Sequence, residues 1–269
     1  MKRILICAAC LLLLSSHDLF LKTNHYFLKP QQNGELFLFN GTFDESGNVI
    51  DRDRIIQPVI MGPDYRFVPQ NADWYDEADA TFLKFKTGKA GTYVAGVSTK
   101  ARNIELSAED FNGYLEHDGI LDVLAERKAS GELKKAATER YAKHVKLLLQ
   151  VGETYSQDYQ KVLGYPAEFV PLTNPYEAKV GDTVSFRLLR NGSPLANQLV
   201  YAAYRAPNEQ SSGQALRKEI SARTDAEGKF SIKLNSKGRW YLRTIHMVKC
   251  AEPDIDYESN WATLGFAVK

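Results

Sequence analysis

Five histidines carry most of the coordination chemistry in this chain: His17, His25, His117, His144 and His246. No two of them have the close helical spacing of a zinc-protease motif, and no Cys-x-x-Cys is present, so a metal site has to be assembled from distant segments. His17 stands out by its position. Lys2 and Arg3 form a basic start, Ile4 to Leu14 an apolar run and Ser15-Ser16 a small-residue end, the order of a secretory leader. Cleavage after Ser16 would make histidine the first residue, with an α-amine and an imidazole placed to close a chelate ring on one metal ion. His25, eight residues on, is expected on the next strand and within reach of His17 across a hairpin. Neutral imidazoles and an amine suit Ni(II), Co(II) or Cu(II) better than a closed structural zinc site. The plain alternatives are a frayed terminus for His17 and an exposed strand position for His25. His117 and His144 are expected on or near helices rich in Lys and Glu and to face water.

The leader has competing readings. Leu14 stands where a small or β-branched residue usually precedes the cut by three places. Cys10 after Ala8-Ala9 offers a lipoprotein site, but Cys7 replaces the aliphatic residue expected before it. The apolar run falls short of the roughly 20 residues that span a bilayer. Export to the periplasm or beyond is the expectation.

Other chemistries find little support. There is no Gly-x-Ser-x-Gly elbow, and Cys250, the one cysteine beyond the leader, has no flanking histidine. Gly88-Lys-Ala-Gly91 lacks the length and the Lys-Ser/Thr ending of a phosphate-binding loop. The acidic stretch with Glu252, Asp254, Asp256 and Glu258 offers oxygen ligands, though solvated loop carboxylates are the commoner case. Trp240, Tyr241, Tyr257 and Trp261 offer a carbohydrate platform or, more commonly, sandwich core. Lys+Arg number 34 against 33 Asp+Glu, and two of the basic residues lie in the leader, so nothing favours nucleic acid. A lone cysteine after the leader also leaves no intrachain disulfide, and the mature fold must rest on packing.

The elements that would position these residues are mostly strands. Between Asp18 and Lys100, short apolar runs alternate with Asn33-Gly34, Asn40-Gly41, Gly62-Pro63 and Gly88, as in a meandering antiparallel sheet. Glu35 to Phe39 is too continuously apolar to be half exposed. Ser107-Ala-Glu-Asp110 then opens a helix with a serine cap and early acids. Helical register is expected to continue through Ile120–Lys128 and Leu133–Lys143, with Lys146 to Val151 returning as a strand. After Gly164-Tyr-Pro166, about seven strands follow at the spacing of an immunoglobulin-like sandwich. The expected chain is mainly β: a leader over 1–16, a β-sandwich over 17–165 with a helical insertion over about 107–143, and a second, immunoglobulin-like β-sandwich over 166–269. The second half lacks crossover helices, so its sheets should be antiparallel.

The ordered motifs resemble one family. His17-Asp-Leu-Phe-Leu21, Asn40-Gly-Thr42, Gly91-Thr-Tyr-Val94, Leu163-Gly-Tyr-Pro166, Asn174-Pro175, Val180-Gly-Asp182, Gly192-Ser-Pro-Leu195, Thr224-Asp-Ala-Glu-Gly228, Gly238-Arg-Trp-Tyr241, Ile245-His-Met247 and Ser259-Asn-Trp-Ala262 occur together in the DUF4198 family. Asn48 to Arg54 resembles its Bacteroidetes-type branch. The resemblance implies an exported protein of paired β-sandwiches with a loose link to nickel or cobalt uptake. It makes His246 the expected partner of His17, and it implies as partners a metal ion and a transport component of the outer or inner membrane. The loop Ala206–Gln214, histidine-bearing in relatives, has no histidine here, which counts against a metal-gathering arm.

Three function classes follow. One is an exported metal-binding or metal-delivery protein. Another is a non-catalytic binding module for carbohydrate or a cell-surface partner. The third is a copper oxidase built on a histidine brace.

Overall fold

The computed structural model describes residues 18–207 and 220–269. The leader, its cleavage site and His17 therefore lie outside the described residues, as does most of the Ala206–Gln214 loop.

Three sheets build the fold. The first joins β1 (Asp18–Lys22), β3 (Asn33–Gly41), β8 (Ala80–Lys86) and β7 (Trp74–Glu77), with β4 (Ser46–Asn48) on β3. The central sheet runs in the order β16 (Ile220–Arg223), β15 (Leu199–Arg205), β18 (Gly238–Lys249), β19 (Tyr257–Val268), β11 (Ala137–Val151), β9 (Gly91–Thr99), β5 (Ile55–Gly62) and β6 (Tyr65–Phe67). The short strands β2 (Phe27–Leu28) and β10 (Arg102–Leu106) pair with β11. The third sheet holds β12 (Ala167–Pro171), β13 (Thr183–Arg190), β14 (Ser193–Pro194) and β17 (Lys229–Lys233).

The long central strands are buried on both faces, so their sequences lack a clean polar alternation. One face carries Tyr93, Ala95, Val145 and Leu147, and β1 lies against it: the Thr263 hydroxyl donates to the Leu19 carbonyl at 3.0 Å. The opposite face carries Leu242, Leu264 and Phe266, and the third sheet covers it, with Phe186 5.9 Å from Phe266 and stacked on Phe230 at 5.4 Å. The fold is thus mainly β and sandwich-packed, with both halves of the chain contributing layers to one shared sheet. Pairings within the second half are antiparallel, as expected. The two halves are joined by a parallel ladder between β11 and β19, from Glu139↔Tyr257 to Leu147↔Gly265.

The helical excursion is shorter than expected. α1 (Ala108–His117) starts where the Ser107 hydroxyl accepts from the Asp110 amide at 3.1 Å, and α2 (Leu121–Ala129) follows. Phe111 and Leu115 press onto Met247, Tyr257 and Trp261, on the same face of the central sheet as β1. Residues from Ala137 onward, expected to be helical up to Lys143, are instead the start of β11. Charged residues at 139, 140 and 143 imitate a helix surface, but each is claimed by another strand or loop. Ser259 and Tyr114 donate to Glu139, Arg140 pairs with Glu252, and the Lys143 amine donates to Asn40 Oδ1 at 3.3 Å.

Candidate functional site: a polar cleft over the central sheet

One part of the third-sheet face remains uncovered by apolar packing. It is a cleft of about 530 Å³ lined from β5, β9, β11, β19, the Gly164–Pro166 segment and the Arg190–Asn191 turn. Its floor is polar because the inward positions of three adjacent strands are Ser98, His144 and Asn260. His144 is 1% exposed, and the expectation that it faces water is corrected here. It lies on a strand rather than near a helix, and both of its ring nitrogens are engaged.

The hydrogen bonds run in one direction. Asn260 Nδ2 donates to Glu258 Oε1 at 3.3 Å, which turns Asn260 Oδ1 toward His144 Nε2 at 3.0 Å. Nε2 therefore carries the proton, and Nδ1 accepts from the Ser98 hydroxyl at 2.8 Å. Arg190 closes the chain, donating to Glu258 Oε1 at 3.0 Å and to the carbonyl of Pro166 at 3.2 Å. Burial presses the His144 pKa down to about 4, against a smaller opposing effect of the Asn260 hydrogen bond. The imidazole is neutral at pH 7.

The walls are built as deliberately. Tyr165 lies over His144 at 6.2 Å between ring centres and donates to the Gln57 carbonyl at 2.8 Å. It can lie that close because Gly96 is beneath it: a Cβ at Gly96 would fall 2.3 Å from Leu163 Cδ1 and 2.8 Å from the Tyr165 hydroxyl. Glu168 fixes the same segment, accepting from the amides of Leu163 and Gly164 at 3.0 and 2.9 Å and pairing with Lys146 at 2.8 Å. Two rim residues hold left-handed backbone, Gln57 with φ 50° at an irregularity in β5 and Asn191 with φ 50° in an Asn-Gly hairpin turn. Asparagine adopts this conformation readily in such a turn, so Gln57 is the strained position of the two.

His246 stands beside this floor, directly across from Asn260 in register. Gln198 Nε2 donates to the carbonyls of Leu199 and Ile245, so its Oε1 faces His246 Nδ1 at 3.1 Å. Nδ1 is then the protonated nitrogen, and Nε2 presents a lone pair. Burial and then Arg190 lower the pKa of His246, while Glu258 raises it.

Of the candidates from the sequence, the two described ones, His25 and His246, lie apart. His25 is exposed in the turn after β1 and lines a different, more open groove of about 670 Å³ with Glu35, Asp73 and Lys84. Asp18 begins a strand on the face of the central sheet opposite to His246, and His17 itself is outside the described residues. Among the described residues, no three His, Cys, Asp or Glu side chains are disposed to hold a metal ion. His117 is largely exposed, 3.0 Å from Asp118. The carboxylates of Glu252, Asp256 and Glu258 are paired with Arg140, Lys135 and Arg190. Trp240, Tyr241, Tyr257 and Trp261 are all buried, so they are core and not a sugar platform. The Ser98–His144–Asn260 floor went unrecognised because its residues are scattered over 160 positions of sequence and meet only through sheet register. The one available signal was a histidine inside a stretch of β-branched and aliphatic residues, His144-Val-Lys-Leu-Leu-Leu149.

Fold and cleft together define a mainly β, sandwich-packed protein with a small-molecule-sized polar depression. The family described as a domain of unknown function, DUF4198, matches residues 14–248, and the chain belongs to it. No curated protein matches it. Solved structures similar to it include native Escherichia coli alpha-2-macroglobulin, at 9% identity and TM-score 0.22, covering 93% of this chain and 14% of that one. The E. coli adhesin FdeC is similar at 12% identity and TM-score 0.23, covering 94% of this chain and 64% of FdeC. Three N-terminal domains of the bacteriophage RB49 outer capsid protein Hoc are similar at 10% identity and TM-score 0.21, covering 94% of this chain and 71% of that one. At such scores the likeness carries no argument about function. Among the described residues, no helix is long and apolar enough to cross a membrane.

Proposed function

We propose that this is an exported, non-catalytic binding module whose polar cleft takes a small hydrophilic ligand. The observation that carries the reading is the buried Ser98–His144–Asn260 chain forming the floor of an open cleft. Apolar residues would pack that position at lower cost than a serine, an asparagine and a desolvated imidazole. The cleft volume, about 530 Å³, lies within the roughly 300–1,000 Å³ typical of small-molecule sites. Export is supported by the order of charge, apolar run and small residues in the leader.

A thermal-shift screen of sugars, sugar acids and small carboxylates tests the reading. A hit should raise the Tm of the native protein but not that of Ala142→Phe, which fills the cleft from its floor. Equal stabilisation of both proteins would place the ligand elsewhere.

A second reading, transition-metal binding or delivery with Ni, Co or Cu, has one observation in its favour: the Nε2 lone pair of His246, oriented by Gln198. The described residues supply no set of three ligands, so such an ion would take its others from solvent. Metal affinity unchanged in His246→Ala would end that reading.

A further inference from the structure

We infer that the ligand of the cleft is a hydroxylated monocarboxylate with the chemistry of a uronic acid, an inference that rests on the cleft being the binding site.

The charges around the cleft set the ligand's charge. Its lining holds three cations, Arg140, Arg190 and Lys100, and one acid, Glu258. Two of the cations are already matched: Arg140 contacts Glu252 at 2.7 Å and Arg190 contacts Glu258 at 3.0 Å. Lys100 is exposed at the rim, and among the described residues its amine makes no ion pair. One uncompensated positive charge calls for a single negative one. A phosphate dianion would bring more charge than the unpaired lysine meets.

The direction of the hydrogen-bond chain sets the rest. Ser98 spends its proton on His144 Nδ1, so its oxygen can only accept. Glu258 receives Arg190 and Asn260 on Oε1, leaving Oε2 as a further acceptor. A floor and rim rich in acceptors select a ligand rich in hydroxyl donors. With a cationic lysine at the mouth, the complementary molecule carries several hydroxyls and one carboxylate. A cleft of about 530 Å³ is large enough for such a sugar.

Isothermal titration of the full mature chain with glucuronate, glucose and inorganic phosphate provides the test. Because an exposed ion pair contributes at most about 1 kcal/mol, glucuronate should bind about fivefold more tightly than glucose, and the difference should shrink in high salt. Lys100→Met should abolish that preference, and Ala142→Phe should abolish binding of both sugars. Glucose binding as tightly as glucuronate, or phosphate displacing glucuronate at equal concentration, would overturn the assigned class while leaving the cleft reading intact. Glucuronate binding that survives Ala142→Phe would overturn both. No binding of any of the three probes would overturn the assigned class, and the cleft reading would then be decided by the wider thermal-shift screen.

Discussion

His144 is the residue on which the cleft turns, and its protonation gives the sharpest test at this scale. Its pKa in the folded chain is near 4, below the ordinary value of 6.5, chiefly because burial penalises the imidazolium. The unfolded chain therefore binds the extra proton first as pH falls. The stability tied to the neutral ring is complete above about pH 6.5 and drains away as pH drops toward 4, by up to about 3 kcal/mol. Urea unfolding across this range should show a steeper acid loss for the native sequence than for His144→Leu; identical pH profiles would contradict a buried neutral imidazole. Ser98→Ala removes the donor to Nδ1 and should cost about 1–3 kcal/mol at neutral pH, the penalty of an unsatisfied buried acceptor. At this scale the sequence was a poor guide. His144 sits among Lys143, Lys146 and Arg140, and charge-rich surroundings suggest water. The chain buries the two lysines instead: Lys146 is 1% exposed against Glu168, and Lys143 is 7% exposed over the Trp261 ring.

Among the elements, the segment from Leu163 to Glu168 matters most, because it forms the cleft wall and ties the third sheet to the central one. Glu168 serves it twice, as the partner of Lys146 and as the acceptor of backbone amides. Burial pushes the Lys146 amine below its ordinary pKa, and Glu168 opposes that push. Glu168→Leu leaves a buried ammonium without its carboxylate, and the expected loss is about 3–5 kcal/mol in urea unfolding. The pair Lys146→Met and Glu168→Gln should recover part of it, since the glutamine oxygen still accepts the amides; a double variant no better than Glu168→Leu would contradict this division of roles. Strands with clear turns at both ends were legible in the sequence, including β5, β8, β9 and β13. The first half of β11 was not. Its polar residues are satisfied by partners from other strands, and no local pattern reveals partners that distant in sequence.

For the whole molecule, the consequential feature is the parallel ladder of β11 and β19, which makes one sheet of strands from both halves of the chain. Composition, aromatic content and turn spacing sufficed to read a mainly β sandwich. They carried no information about a C-terminal strand returning to pair inside the first half, because register is settled by contacts more than a hundred residues apart. A chain ending at Tyr165 would lose the partner of Glu139 to Leu147 and the sheet that covers Phe266's face. Such a chain should lack cooperative thermal unfolding by circular dichroism; a sharp transition from residues 18–165 alone would show the halves to be independent.

The central claim is that the cleft over Ser98, His144 and Asn260 is where a ligand binds. Titrating ¹⁵N-labelled protein with glucuronate and following amide shifts tests it most directly. The account predicts shifts concentrated at Gln57, Ser98 to Ala101, Ala142 to His144, Arg190-Asn191 and Glu258 to Asn260, the segments that line the cleft. Shifts confined to the groove of His25, Glu35 and Lys84, with the cleft silent, would contradict it.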